Sequence, residues 1–229
     1  TFMSPGSLAA AFRGAGAVVK AVDLVLGGTV GNAFAAIRPP GHHAERETPM
    51  GFCLFGNIAI GAKHALDHHG LKRVAVVDFD VHHGNGTQDL LQDDPRVLFI
   101  SSHEMPLYPG TGDPSDTGEH DNVINIALKA GTRSKEFREI YEAQVFPRLR
   151  AFKPDLILVS AGFDAHRADP LANICLETAD FAWVTGRICD IADQVCEGRV
   201  VSALEGGYDL EALADSAAAH VKTLQERAA

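Results

Sequence analysis

Short apolar segments alternate with helical segments along this 229-residue chain. This alternation constrains the fold most, because strands that are each followed by a helix predict a parallel sheet with helices on both faces. We predict one domain, residues 1–229, with a three-layer α/β/α fold and a mostly parallel sheet. Strands are expected near Ala33–Ile37, Arg73–Phe79, Val97–Ser101, Asn122–Ala127, Leu156–Ser160 and Val200–Leu204, and the clearest helices over Ser7–Leu26, Asn57–His69, Ser134–Leu149, Thr178–Val195 and Leu210–Gln225.

Composition excludes several classes of protein. The content of 46% hydrophobic residues suits a globular domain with a full core. Apolar runs are far shorter than the roughly 20 residues that cross a bilayer, so we expect a soluble, cytoplasmic protein without a membrane partner. A net charge of −10 argues against a nucleic-acid-binding surface. Four cysteines without CxxC spacing are expected to be buried in a reducing compartment and not to bind zinc: Cys53, Cys175, Cys189 and Cys196.

Polar residues follow five of the predicted strands. In open parallel sheets, ligands collect at the carboxyl ends of the strands. Polar residues at so many strand ends are hard to explain by folding alone, so the sequence predicts a functional site at this edge. The five segments are Arg38–His43, Asp78–Asn85, Ser101–His103, Phe163–Asp164 and Glu205–Tyr208.

The segment VVDFDVHHGNG, residues 76–86, places Asp78, Asp80 and His82 on one face of a strand. Two carboxylates a few ångströms apart repel by about 4 kcal/mol at the effective dielectric of a protein surface. A bound metal would compensate, with Asp80 and His82 as ligands and Asp164 as the best candidate for a third. The alternative is that the carboxylates cap turns, but His83 and the glycines beside them favour the metal.

Six segments in order along essentially the whole chain resemble the zinc-dependent histone deacetylase superfamily. The likeness is greatest to the class II deacetylases and to bacterial deacetylase-like and acetylpolyamine amidohydrolases. The segments are RPPGHHAE at 38–45, GFC at 51–53, DFDVHHGNGT at 78–87, YPGTGD at 108–113, SAGFD at 160–164 and EGGY at 205–208.

The resemblance implies an arginase/deacetylase-like fold and a Zn²⁺ ion held by Asp80, His82 and Asp164. Fe²⁺ or Co²⁺ would also suit these ligands. His43 is then expected to act as general base and general acid, with His42 as electrostatic support. The implied reaction removes an acetyl group from acetyl-lysine or a related acetylated amine.

Further roles follow from the same resemblance. Asp78 is expected to orient His42, and Asn85 lies where the partner of His43 is expected. Tyr208 matches the residue that donates a hydrogen bond to the developing oxyanion. The substrate tunnel would be lined by Gly51, Phe52, Tyr108 and Leu171, and the neutral Leu171 weakly favours acyl-lysine over acetylpolyamine.

The resemblance also suggests structural K⁺ ions. The nearer site would use the carboxylate of Asp78, the Ser101 hydroxyl and the Ser102 carbonyl, with carbonyls of Asp78, Asp80 and His82. A farther site would use carbonyls around Leu91, Asp94, Val97 and Asn122. Family domains usually begin before the segment that matches residues 1–7, so the chain is expected to lack an N-terminal segment with the first strand.

Other residues receive structural interpretations. His68 and His69 are expected to end a helix. Phe181 and Trp183 are expected in the core, whereas Glu45 and Arg46 are expected in a solvated loop. His103 and His166 lie near the predicted site, with a role at its rim as the minor alternative.

Two further functions remain open. An arginase-type ureohydrolase needs a second set of carboxylates for two manganese ions, but Gly84 and Ala165–His166 stand at the corresponding positions. A non-catalytic acetyl-lysine-binding protein is disfavoured because the metal ligands, His42, His43 and Tyr208 are all present.

Overall fold

The computed structural model describes residues 1–228, which form six strands and seven α-helices. The strands are β1 Asn32–Ala35, β2 Val74–Asp78, β3 Val97–Glu104, β4 Val123–Leu128, β5 Leu156–Ala161 and β6 Val200–Leu204. The helices are α1 Ser7–Leu26, α2 Asn57–Asp67, α3 Asn85–Leu91, α4 Ser134–Ile140, α5 Phe146–Phe152, α6 Thr178–Val195 and α7 Leu210–Glu226. The strands form one parallel sheet in the order β1-β6-β5-β2-β3-β4, so the predicted α/β fold is confirmed.

Successive residues of the central strands face opposite layers of helices. Val74 and Val76 of β2 pack with residues of α1 and α2, whereas Ala75 and Val77 pack with residues of α4 to α7. A strand that is buried on both faces needs a continuous apolar sequence, which explains the uninterrupted runs. The prediction that Phe181 and Trp183 belong to the core is also confirmed, since both pack in the second of these layers.

The order of the strands places a crevice between β2 and β5. From β2 the sheet continues through β3 to β4, whereas from β5 it continues in the opposite direction through β6 to β1. At such a switch point the connections leave neighbouring strands in opposite directions and open a crevice at their carboxyl ends. The residues that follow β2 and β5 therefore meet at the natural ligand site of this sheet.

Two predicted elements differ most from the structure. The helix predicted over 134–149 contains a π-helical turn, Tyr141–Val145, where the Phe146 N–H donates to the Tyr141 carbonyl five residues earlier. Pro147 follows directly and cannot donate a backbone hydrogen bond, so the α-helical pattern breaks there. The third strand continues past Ser101 to Glu104. Ser101, Ser102 and His103 are therefore buried strand residues and not residues after a strand.

No helix within residues 1–228 is both long and apolar enough to span a lipid bilayer. Cys53, Cys189 and Cys196 are buried as predicted, whereas Cys175 is half-buried, and all four thiols are free.

His220 of α7 is a buried histidine that lies between α6 and β6. Its Nδ1 is 2.7 Å from Thr185 Oγ1 and its Nε2 is 2.8 Å from Ser202 Oγ. Burial lowers the pKa of His220 to about 3, so the imidazole is neutral in the folded protein.

His220 should make the fold sensitive to acid. In the unfolded chain the imidazole titrates near about pH 6.5, so the unfolded state binds an extra proton below that pH and stability falls until the folded-state pKa is reached. His220→Gln should reduce the slope of unfolding free energy against pH between pH 4 and 6 by up to about 1.4 kcal/mol per unit. Urea unfolding at a series of pH values measures this slope. The exposed His120→Gln variant is the control, and equal slopes for His220→Gln and wild type would contradict the account.

Candidate active site

Asp80, His82 and Asp164 converge in the crevice between β2 and β5. His82 Nδ1 lies 3.1 Å from Asp80 Oδ1 and 3.1 Å from Asp164 Oδ2. Both carboxylates are fully buried, and one donor atom from each residue lies within 4.8 Å of the other two. Two carboxylate oxygens and one imidazole nitrogen form a ligand set suited to a single divalent transition-metal ion. The structure thus brings together the three predicted metal ligands.

The backbone holds the outer oxygen of each carboxylate. The Gly206 N–H donates to Asp80 Oδ2 at 2.8 Å, and the Val81 N–H donates to Asp164 Oδ1 at 2.9 Å. A Cβ atom at position 206 would lie 2.1 Å from Asp164 Oδ2, so only glycine fits there. The remaining oxygens face His82, which leaves one inner oxygen from each carboxylate available to a shared cation.

The charges at this centre also fit a cation. Burial and the negative charge of Asp80 raise the pKa of Asp164 to about 7. Burial opposes protonation of His82, but hydrogen bonds to Asp164 and Asp80 outweigh it and raise its pKa to about 10. These raised pKa values mean that bound protons balance the charge of the two buried carboxylates. A divalent ion would supply the same positive charge.

The tandem histidines each have a separate partner. His42 Nδ1 lies 2.9 Å from Asp78 Oδ2, and His43 Nδ1 lies 2.7 Å from Asn85 Oδ1. The two rings are 4.0 Å apart between centroids. These are the pairs that the family resemblance implies.

The two histidines differ in protonation. Burial opposes protonation of His42, but the charges of Asp80 and Asp78 outweigh it and raise the pKa of His42 well above its usual value. Burial and the charge of His42 lower the pKa of His43 to about 3. His42 is therefore the cationic member and His43 the neutral member at pH 7. Asn85 Oδ1 can only accept a hydrogen bond, so the neutral His43 carries its proton on Nδ1 and presents a free lone pair on Nε2.

A cavity of about 540 Å³ opens beside this centre. The rings of His43 and Tyr108 meet edge to face at 5.2 Å, and those of Phe52 and Tyr208 lie 6.0 Å apart. A Cβ atom on residue 51 would lie 2.2 Å from His43 Cδ2, so the wall next to that ring needs glycine. The lining contains all four predicted tunnel residues and consists of Thr1, Phe2, His43, Gly51, Phe52, His82, Leu107, Tyr108, Leu171 and Tyr208.

Glu205 supports the histidine loop and had no predicted role. Its Oε2 atom accepts hydrogen bonds from the backbone of Gly41 at 2.7 Å and of His42 at 3.1 Å. Arg38 donates to the backbone carbonyl of Glu205 at 2.8 Å. Glu205 follows a strand and directly precedes Gly206 and Gly207. This position at a strand end was the feature of the sequence that could have identified Glu205 as a functional residue.

Asp169 connects Tyr208 to the entrance of the cavity. Asp169 Oδ2 accepts from the Tyr208 N–H at 2.8 Å, and Oδ1 accepts from the Leu171 N–H at 3.0 Å. No spacing in the sequence indicates the contact with Tyr208, because 39 residues separate it from Asp169.

The prediction of a solvated loop is wrong for Glu45 and confirmed for Arg46. Glu45 is half-buried, and its Oε1 atom accepts a hydrogen bond from Asn85 Nδ2 at 2.6 Å, whereas the Arg46 side chain is 63% exposed. Glu45 thereby fixes the amide of Asn85 so that its oxygen faces His43.

The remaining histidines lie outside the cavity wall. His103 is buried, with Nε2 2.9 Å from the Gly112 carbonyl, so a place at the rim is wrong for it. His166 is half-buried and its ring stacks with Phe181. His68 caps the carboxyl end of α2, as predicted for that histidine pair.

The two predicted potassium sites differ in their surroundings. Asp78 and Ser101 are neighbours in the register of β2 and β3, which places two groups of the nearer site side by side. At the farther site, Asn122 Nδ2 lies within hydrogen-bonding distance of three backbone carbonyls, so these oxygens already share one donor. The distances are 3.5 Å to Leu91, 3.1 Å to Asp94 and 3.1 Å to Val97. Both potassium sites stay predictions.

Comparisons with known proteins agree with the architecture. Residues 1–224 match the family described as "Histone deacetylase domain". The chain is 47% identical over 218 residues to histone deacetylase 14, chloroplastic, of Arabidopsis thaliana, covering 92% of this chain and 52% of that protein. It is 43% identical over 204 residues to a probable deacetylase of Archaeoglobus fulgidus, covering 88% of this chain and 56% of that protein.

A solved structure gives the same result. The fold matches the crystal structure of the HDA15 HD domain with a TM-score of 0.94 at 37% identity, covering 99% of this chain and 64% of that chain. The chain spans about half the length of the curated relatives described above, at 52% and 56%.

Proposed function

Because the chain belongs to the histone deacetylase family, we propose that it is a metal-dependent amidohydrolase that removes an acetyl group from acetyl-lysine or a related acetylated amine. The observation that carries this proposal is the buried Asp80, His82 and Asp164 set beside a cavity whose wall contains His43 and Tyr208. A mostly apolar cavity suits the methylene chain of an acylated lysine, and His43 and Tyr208 on its wall would lie beside the amide.

We further propose Zn²⁺ as the ion, although the same two carboxylates and one imidazole suit Fe²⁺ or Co²⁺. When bound, such an ion supplies a Lewis acid for the acyl carbonyl and lowers the pKa of a water molecule from about 15.7 towards about 7. The nearer potassium site around Asp78, Ser101 and Ser102 is part of this proposal.

His43 is proposed as general base and then general acid. Its free Nε2 lone pair would take a proton from the attacking water and return it to the leaving amine, while Asn85 holds the ring in one orientation. His42, held by Asp78, would stabilise the negative charge that develops on the acyl oxygen.

Tyr208 is proposed to donate a hydrogen bond to the developing oxyanion. Burial, with the charges of Asp80 and Asp164, raises the pKa of Tyr208 above its usual value, so the hydroxyl keeps its proton at neutral pH. Asp169 anchors the backbone of Tyr208 and would keep this hydroxyl on the cavity wall.

Tyr208→Phe is the direct test of this mechanism. Loss of one preorganised donor to an oxyanion should lower kcat about 10²- to 10³-fold with little change in KM. Steady-state hydrolysis of a fluorogenic acetyl-lysine peptide measures both constants. Tyr108→Phe is the matched control on the same wall and should stay close to wild type. Turnover that persists in Tyr208→Phe and resists hydroxamate inhibitors would refute the mechanism.

Glu45 should act as a positioning residue for Asn85. Without Glu45, Asn85 Nδ2 keeps only the longer contacts to Met50 Sδ at 3.3 Å and to the His43 carbonyl at 3.5 Å. The Asn85 amide can then flip and present nitrogen to His43, which removes a hydrogen bond worth roughly 1.5 kcal/mol. Glu45→Ala should therefore lower kcat about ten-fold, whereas Glu45→Gln keeps an acceptor oxygen and should restore most of it. Arg46→Ala is the exposed control. A Glu45→Gln variant as slow as Glu45→Ala would contradict the positioning role.

Leu171 favours acyl-lysine over acetylpolyamine as substrate. This side chain is 47% exposed at the cavity and carries no charge to attract a second ammonium group. Leu171→Glu should raise kcat/KM for an acetylpolyamine, relative to an acetyl-lysine peptide, by up to about five-fold, the effect of an exposed ion pair. Leu171→Gln is the control for polarity. An equal ratio of the two kcat/KM values in Leu171→Glu and Leu171→Gln would contradict this substrate preference.

The other functions receive less support. An arginase-type centre would need additional carboxylates, but residues 84 and 165 are Gly and Ala. A purely acetyl-lysine-binding protein would not need the Asn85 and Asp78 contacts that orient two histidines. We propose a cytoplasmic protein without nucleic-acid or membrane partners, in keeping with its four free thiols and net charge of −10.

A further inference from the structure

Three histidines and one aspartate form a second cluster at the junction of α1 and α2. His64 and His68 stack with ring centroids 4.8 Å apart, and His69 lies 5.1 Å from His64 and 5.0 Å from His68. Asp23 Oδ1 is 2.7 Å from His64 Nε2 and 2.8 Å from His69 Nε2. One donor atom from each of the three histidines lies within 4.8 Å of the other two. We refer to these four residues as the histidine cluster.

The helix places two of these imidazoles side by side. His64 and His68 are four residues apart, which puts both side chains on the same face of α2 and its continuation, a spacing that also occurs in helical zinc sites. His69 follows as the helix ends, and Asp23 approaches from α1. Four potential ligands therefore come from three local segments: α1, α2 and the residues that end α2.

The donor set suits a divalent transition metal. Imidazole nitrogen and carboxylate oxygen bind such ions at about 2.0–2.2 Å, which places tetrahedral ligand atoms roughly 3.3 Å apart. Hydrogen bonds from His64 and His69 lower the pKa of Asp23, so its carboxylate is ionised at neutral pH. The side chains of Asp23, His64 and His69 are 38%, 20% and 25% exposed, so an ion can reach them.

A purely structural explanation accounts for only part of the cluster. Histidines near the end of a helix complement its dipole, and the two contacts to Asp23 tie α1 to α2. Within residues 1–228, however, the His68 imidazole forms no side-chain hydrogen bond, yet it stacks on His64. His64 and His69 share the Asp23 carboxylate, and the His68 ring stacks parallel to that of His64, so one nitrogen atom from each of the three rings lies within 4.8 Å of the other two.

We propose that His64, His68, His69 and Asp23 bind a second divalent transition-metal ion of the Zn²⁺ type. This site is separate from the candidate active site. The Asn57 side chain at the start of α2 donates to the Pro39 carbonyl in the loop that precedes His42, whereas the histidines lie at the far end of α2 before β2 begins. The ion would clamp α1 onto α2 and stabilise the fold without taking part in turnover.

Zinc stoichiometry in the full chain tests this proposal. Equilibrium dialysis with elemental analysis should show that His64→Ala/His68→Ala binds one Zn²⁺ fewer per chain than wild type, whatever the first site holds. His82→Ala/Asp164→Ala should also bind one Zn²⁺ fewer per chain than wild type, but the ion it loses is that of the candidate active site. Combining both pairs of substitutions should therefore remove two ions. His120→Ala, which removes an exposed histidine outside the cluster, should bind as wild type does. Equal zinc content in wild type and His64→Ala/His68→Ala would overturn the proposal.

A spectroscopic measurement covers the case in which a variant misfolds. Cu²⁺ added to the His82→Ala/Asp164→Ala protein should give an electron paramagnetic resonance spectrum with splitting from at least two imidazole nitrogens. Addition of Zn²⁺ should also raise Tm in wild type more than in His64→Ala/His68→Ala, whose deacetylation rate should stay within about two-fold of wild type. A Cu²⁺ spectrum without nitrogen splitting, or equal Tm shifts, would count against the site.

Discussion

The structure depends on two fully buried carboxylates, Asp80 and Asp164, that face one imidazole at the carboxyl edge of the sheet. Isolated buried charges would cost many kcal/mol, so every surrounding group has to compensate. Backbone N–H groups of Gly206 and Val81 hold the outer oxygens, and the inner oxygens are left for positive charge. The strand order makes this arrangement possible. Asp80 follows β2 and Asp164 follows β5, and these two strands are neighbours in the sheet.

Hydrogen bonds to residues around the metal ligands give His42 and His43 different protonation states. Asp78 beside His42 favours a cation, whereas the neutral Asn85 beside His43 does not offset the burial of that ring and the charge of its neighbour. Two adjacent imidazoles thereby receive opposite protonation at neutral pH, which is the condition for one to accept a proton while the other stabilises charge. Glu45, Glu205 and Asp169 fix these groups from outside, through hydrogen bonds to an amide or to the backbone.

The sequence predicts well what depends on local pattern. Strands buried on both faces need continuous apolar runs, so β2, β5 and β6 could be found, and the polar residues that follow them had to meet at one edge. The pairing of His42 with Asp78 and of His43 with Asn85, by contrast, came from the resemblance and not from the residues alone.

Long-range contacts of the connecting loops were not predictable. Glu205 reaches the backbone of His42 across 163 residues, and Glu45 turns inward to Asn85 although its neighbour Arg46 is solvated. Such contacts depend on the paths of loops, which neither periodicity nor composition determines. The π-helical turn Tyr141–Val145 is different, because its signal, Pro147 with no N–H to donate, is present in the sequence.

We propose that one ion shared by Asp80, His82 and Asp164 lies at the floor of the cavity, and that the acyl group binds beside it. Crystals of the full chain grown with Zn²⁺ and an aliphatic hydroxamate, with anomalous diffraction recorded at the zinc edge, test it most directly. We expect an anomalous peak between these three side chains, with the hydroxamate head next to His43 and Tyr208 and its chain between Phe52 and Tyr108. No anomalous peak between those residues, or a hydroxamate bound outside the cavity, would contradict it.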